Sequence, residues 1–207
     1  MRTYVYIDGF NLYYGCIKGT PFRWLDLETL CNLLLPGHRV EKIRYFTAIV
    51  SARSFDPDKP TRQLLYHRAL ETKKCITIHL GHFLAHVTPM PLANPVAGLP
   101  GSVKVLKIEE KGSDVNLATH LLCDGFEDNY EVAVVVSNDS DLLEAIRYVR
   151  ESLKKKVGLL NPHRHPSAVL LANSDFYKPI RKGVLSVSQL PAVLEDKNGC
   201  FSKPAAW

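Results

Sequence analysis

Four aspartates stand where carboxylates could hold a cation or handle a proton. Asp139 and Asp141 lie one residue apart, just after the apolar run Val134-Val135-Val136, and Asp8 closes the run Tyr4-Val5-Tyr6-Ile7. Asp114 falls in the first turn of a helix expected over about Asp114 to Cys123, with Ser113 as its cap. Apolar, β-branched runs of this kind read as buried parallel strands. In an open α/β sheet the carboxyl ends of such strands share one edge, and ligands bind there. Acids at that edge are costly unless solvated, hydrogen-bonded or neutralised by a cation. A helix N-cap would use one of Asp139 and Asp141 and leave the other unexplained. Three or four carboxylates together suit Mg²⁺ or Mn²⁺, hard ions that take oxygen ligands and keep waters. An ion so held activates water and offsets charge on a phosphate, which is the chemistry of phosphodiester hydrolysis. Asn11 and Ser137 are short polar groups placed to orient a carboxylate or a water.

Positioning these acids requires strands that alternate with helices, and the chain reads that way. Asp26 is expected to cap a helix reaching Leu35, stopped by Pro36-Gly37. Val40 to Val50 is the next strand region, and Pro60 opens a helix to about Thr72 with a basic, mainly solvated side. A third strand is expected over Cys75 to Phe83. From Ala85 to Gly101 the pattern dissolves, because Pro89, Pro91, Pro95 and Pro100 break any ladder or helix. Met90, Leu92, Val96 and Leu99 are nevertheless apolar, so this stretch reads as a functional flap or a loop packed on a sheet edge. Val103 to Glu110 is extended and carries Lys104 and Lys107, with Lys111 just beyond. A strand over Val157 to Leu160 follows Lys154-Lys155-Lys156, Val169 to Leu171 reads as a short last strand, and Asp175 starts a short helix. The resulting class is α/β with a central, mostly parallel sheet. Residues 1–185 are expected to form the domain, with 186–207 as a tail packed on its surface.

Composition sets the outer bounds. The 207 residues are 46% hydrophobic and 23% charged, enough for one substantial core. A net charge of +5 is compatible with an anionic partner such as nucleic acid. The five cysteines are scattered and form no CxxC pair, which points to reduced thiols and a cytoplasmic location. No apolar stretch approaches membrane-spanning length, and Asp8 comes too early for a signal peptide, so no membrane association is expected. His79, His82 and His86 lack a matching Cys or His set and read as structural histidines. Glycine-rich nucleotide loops and a Gly-x-Ser-x-Gly elbow are absent, and Phe10 stands where an Asp-x-Asp phosphotransferase needs its second acid.

Three blocks occur in order: Ile7-Asp8-Gly9-Phe10-Asn11-Leu12, Lys111-Gly112-Ser113-Asp114-Val115-Asn116-Leu117, and Val136-Ser137-Asn138-Asp139-Ser140-Asp141-Leu142. Together they resemble the NYN domain, in the LabA-like branch of the PIN-like nuclease superfamily. The resemblance implies a PIN-like three-layer α/β/α sandwich and a divalent-metal ribonuclease using Mg²⁺ or Mn²⁺. By position it makes Asp8 the first metal ligand beside Asn11, Asp114 the acid of the second block, and Asp139 and Asp141 the rest of the cluster, with Ser137 in support. Lys111 becomes a phosphate contact. The chain departs from the family at His120, where an Asp is frequent, and at Asn138 and Leu142, where Gly and Phe are frequent. The leading expectation is an endoribonuclease that hydrolyses RNA, with Lys104, Lys107, Lys111 and the 154–156 lysines along the RNA backbone. His120 and the long apolar loop leave open a non-catalytic RNA-binding or regulatory module. A phosphatase of small phosphoesters is a weaker alternative, and self-association into a homo-oligomer is left open.

Overall fold

The computed structural model describes residues 1–95, 98 and 100–207; Val96 and Leu99 of the proline-rich stretch lie outside them. In chain order the elements are β1 (Arg2–Asp8), α1 (Gly9–Leu12), α2 (Leu27–Leu34), β2 (Arg39–Thr47), α3 (Lys59–Glu71), β3 (Ile76–Leu80), β4 (His82–Pro91) and β5 (Ser102–Lys111). They continue with α4 (Ser113–Phe126), β6 (Val132–Val136), α5 (Leu143–Glu151), β7 (Lys156–Asn161), α6 (Ala168–Ala172), β8 (Phe176–Pro179), α7 (Lys182–Val187), β9 (Val193–Asp196) and β10 (Gly199–Ser202). One sheet of six strands has the order β3-β2-β1-β6-β7-β8, and every pairing in it is parallel.

Side-chain alternation explains the three layers. Val134 and Val136 point into one core with Val5, Ile7 and Trp24, whereas Ala133 and Val135 point into the other with Tyr6, Leu117 and Ile146. Both faces are therefore covered by helices, as an apolar, non-alternating strand such as β6 requires. This is a PIN-like α/β/α sandwich. Asp26 caps α2 as expected, accepting from the N–H groups of Glu28 and Thr29.

Several local expectations fail for identifiable reasons. The third strand stops at Leu80, and the next one starts at His82. Much of the proline-rich stretch is not a loop: β4 and β5 form an antiparallel two-stranded arm in which Pro89 lies opposite Lys104 and Pro91 opposite Ser102. The N–H of Leu92 donates to the carbonyl of Gly101, so the intervening odd-numbered positions face the arm's free edge. Proline loses no ladder bond there. Val169–Leu171 belongs to the short helix α6, since a short apolar run does not distinguish strand from helix. Asp175 opens β8 instead of a helix, because its backbone N–H and its carboxylate both bond to Val157 of β7. Ser113 is the first residue of α4 rather than its cap; its N–H and hydroxyl both donate to the Glu110 carboxylate. Residues beyond Leu190 form the β9–β10 hairpin, which buries Phe201, and Trp207 packs against Trp24 and Tyr66.

Candidate active site

The acids meet at the carboxyl edge of the sheet. Parallel pairing sets Ile7 opposite Val136, which brings the next residues, Asp8 and Ser137, side by side. The Ser137 hydroxyl donates to Asp8 Oδ2 at 3.0 Å, and the Asn11 N–H donates to Asp8 Oδ1 at 2.9 Å. Asp8 is thereby fixed although only 4% exposed. Ser137 also accepts the N–H of Asp139 at 3.1 Å. Asp139 Oδ1 then accepts the N–H of Asp141 at 3.0 Å and caps the 3-10 turn over Ser140–Leu142. The cap uses one oxygen of Asp139 and does not keep the residue from the site.

Asp8, Asp139 and Asp114 line one cleft of about 270 Å³. Two walls come from residues the sequence did not mark: Glu110 and Phe83, which pair across the base of the β4–β5 arm. Phe83 packs edge-on against Phe10 of α1, just beyond Asp8. Gly81, between β3 and β4, lets the arm approach, because a Cβ there would meet the Lys111 carbonyl at 2.5 Å. Gly9 is needed for a similar reason rather than for a turn: a Cβ would lie 2.8 Å from the Phe46 carbonyl and the Tyr45 ring.

A polar network ties the loops together behind the cleft. Asn11 Oδ1 accepts the N–H of Asn138 at 3.0 Å and lies 2.8 Å from His163 Nε2, which acts as donor when protonated. The Asn138 side chain bonds to Ser167 N–H and the His165 carbonyl, and Asn161 bonds to the backbone of His163. His163 had no signal of its own in the sequence. On the opposite side, Arg44 of β2 and Tyr6 of β1 both donate to Asp124 in the last turns of α4, the helix whose first turn carries Asp114. Burial disfavours the Asp124 charge, but the bonds from Arg44 and Tyr6 prevail and hold its carboxyl below the ordinary range. His120, farther along α4, packs at a tilt against His79 and Phe46 and does not line the cleft, while His82 and His86 are exposed on the arm.

The electrostatics of the cleft are those of crowded acids. Burial raises the Asp8 pKa, and Asp139 adds to that, against the hydrogen bonds from Asn11 and Ser137. Burial, followed by the charges of Asp8, Asp139, Glu110 and Asp141, pushes Asp114 up to about 6. Among the described residues, no lysine, arginine or histidine forms an ion pair with any of Asp8, Glu110, Asp114, Asp139 or Asp141. Asp141 is exposed beside the cleft and does not line it, though its charge reaches Asp114. Among the same residues, no group of three acidic, histidine or cysteine side chains is arranged to hold one ion. The donor set is all hard oxygen, so it fits a cation that keeps much of its water shell and uses one or two carboxylates, as Mg²⁺ does.

The lysines divide. Lys107 and Lys111 share one face of the arm, where each reaches Glu109 (2.8 and 3.7 Å), whereas strand alternation puts Lys104 on the face of Glu110. Lys154, Lys155 and Lys156 lie at the opposite edge of the sheet: Lys156 pairs with Val132, at the start of β6, and Lys155 bonds to Asp128 and the Tyr130 carbonyl. They cannot contact a polymer lying in the cleft without its wrapping around the sheet.

Three comparisons bear on this architecture. A Vibrio parahaemolyticus protein of unknown function has a similar crystal structure, with a TM-score of 0.57 at 18% identity over 87% of this chain and 93% of its own. That likeness concerns the fold. The 6-hydroxy-3-succinoylpyridine 3-monooxygenase HspA of Pseudomonas putida is 31% identical over 238 aligned residues, covering all of this chain and 75% of the relative. Among the described residues no helix is long and apolar enough to cross a membrane. The NYN domain family model matches residues 2–180, and the chain belongs to the NYN domain family.

Proposed function

We propose that the chain is a divalent-metal-dependent ribonuclease that hydrolyses RNA at the acidic cleft. One observation carries the reading: three aspartates, from the end of β1, the first turn of α4 and the turn after β6, line one cleft, and none forms an ion pair with a basic side chain among the described residues. One or two of Asp8, Asp139 and Asp114 would bind Mg²⁺ or Mn²⁺ directly and the remainder would hold its water shell, with Asp141 adding negative charge at the mouth. When bound, such an ion supplies Lewis acidity that offsets phosphate charge and lowers the pKa of a water. Asn11 and Ser137 keep the Asp8 carboxylate aimed, and Phe10 and Phe83 narrow the approach. Lys104, on the arm face that carries Glu110, meets the RNA backbone, and Lys107 and Lys111 on the other face add to the positive field that attracts it, an interaction that salt weakens. The test is cleavage of a labelled single-stranded RNA by the purified chain with Mg²⁺ or Mn²⁺, with Asp8→Asn and Asp139→Asn beside it. Fragments from the wild type alone support the reading. Unchanged cleavage by both variants overturns it, as does RNA bound and never cut, which is the behaviour of a non-catalytic module. Turnover of a generic phosphoester without RNA cleavage would assign a phosphatase.

A second reading comes from the relative named for monooxygenation of a succinoylpyridine. It assigns this chain an oxygen-inserting reaction on a small aromatic substrate. In such a reaction one oxygen atom enters the ring and the other leaves as water, with two electrons drawn from an added reductant, so oxygen consumption that depends on both substrate and a reduced nicotinamide, by a preparation that cuts no RNA, would select it.

A further inference from the structure

A second cavity adjoins the acidic cleft, and Phe10 and Tyr14 line both. Its remaining walls include Tyr13, Tyr45, Tyr66 and Trp207, so with Phe10 and Tyr14 six aromatic side chains line it, beside the aliphatic Leu12, Ile17, Leu25 and Val50. Its volume is about 140 Å³. An apolar cavity of roughly 150 Å³ is known to hold one benzene molecule, so the space between these walls suits a single six-membered ring better than a bicyclic one.

Charge sets the second requirement. Arg23, Lys59 and Arg62 reach the lining, opposed by one acid, Asp56. Arg62 is already bonded to Asp56 at 2.5 Å. Arg23 and Lys59 form no ion pair among the described residues, and Arg23 Nε is buried without any hydrogen-bond partner. A buried guanidinium N–H left unpaired costs free energy that an incoming anion would recover. We infer that this cavity is a binding site for a monocyclic aromatic anion, the ring lying among the tyrosines and Trp207 and the acidic group meeting Arg23. The ring and its charge are the shared chemistry; a free aromatic carboxylate and a pyrimidine nucleotide both supply it. The inference does not depend on which reaction the acidic cleft performs.

Trp207 lines the cavity and packs against Trp24, and these are the chain's two tryptophans, so intrinsic fluorescence reports on occupancy. The probes are benzoate and uridine monophosphate, with the neutral benzamide and uridine, and adenosine monophosphate for size. Saturable fluorescence change with benzoate, uridine monophosphate or both, at a millimolar or tighter Kd, supports the site, and the probe that binds identifies the source. Each neutral analogue is expected to bind at least about tenfold more weakly than its anion, and Arg23→Met to lose at least about tenfold in affinity. Adenosine monophosphate is expected to bind at least about tenfold more weakly than uridine monophosphate wherever the latter binds. No saturation by either anion at about 10 mM overturns the inference, as does equal binding of neutral and charged probes. Unchanged affinity in a folded Arg23→Met variant also overturns it. Should that variant not fold, the wild-type comparison of charged with neutral probes decides alone.

Discussion

The acidic cleft and the aromatic cavity sit on either side of Phe10 and Tyr14, with opposite electrostatic demands. The cleft gathers carboxylates that form no ion pair with a basic side chain among the described residues; the cavity gathers guanidinium and ammonium groups around one acid that is already engaged. Their construction also differs. The cleft is made where parallel strands end, and its central acid is set by register, Ile7 against Val136. The cavity is made by side chains from α1, β2, α3 and the region around Trp207, packed on the sheet face that holds Trp24 and Tyr66. Removing a single charge therefore damages the cleft locally, whereas the cavity answers to ring size and one buried cation.

Substitutions can separate the two regions. Asp8→Asn has the largest expected effect: RNA cleavage falls at least about a thousandfold, equivalent to ~4 kcal/mol, while ring binding in the cavity changes little. Parallel loss of both would show that they are one site. Asp124→Asn should follow, because Arg44 keeps its charge and loses its partner; a destabilisation of about 3 kcal/mol is expected in urea unfolding. The Asp124 carboxyl is held below its unfolded value near about 4, so this stabilisation is complete above that pH and lost as pH falls through the folded pKa. The gap between wild type and Asp124→Asn should accordingly be wide at pH 7 and narrow in acid, and a constant gap would refute the ion-pair account.

Smaller effects sharpen the same contrast. Ser137→Ala removes one hydrogen bond to Asp8 and should lower cleavage about tenfold, with no change in benzoate affinity at the cavity. Lys107→Ala, on the arm, should weaken RNA binding only about twofold to threefold, with the difference vanishing at high salt. An effect of Lys107→Ala that salt does not reduce would remove the arm from the electrostatic reading.

What the sequence revealed followed from patterns that stay local. The run before Asp139 announces a strand buried on both faces, and alternation with helices places the ends of β1 and β6 at one edge. Asp8, Asp139 and the first turn of α4 were therefore legible as neighbours. Glu110 and Phe83 were not, because their entry into the cleft depends on the register of the β4–β5 arm, and prolines hid one of its strands. Nor was the cavity legible: Arg23, Tyr45, Tyr66 and Trp207 are far apart in the chain and meet only through tertiary packing. His163 was missed because its contact with Asn11 crosses from the loop after β7 to helix α1.

The central claim is that the acidic cleft binds a divalent cation, and titration of Mn²⁺, followed through the loss of the free ion's paramagnetic resonance signal, tests it without reference to any substrate. The account predicts saturable binding by the wild-type chain and its loss in Asp8→Asn and Asp139→Asn. Binding that survives in both folded variants, or a wild type that takes up no Mn²⁺ at millimolar concentration, would contradict it.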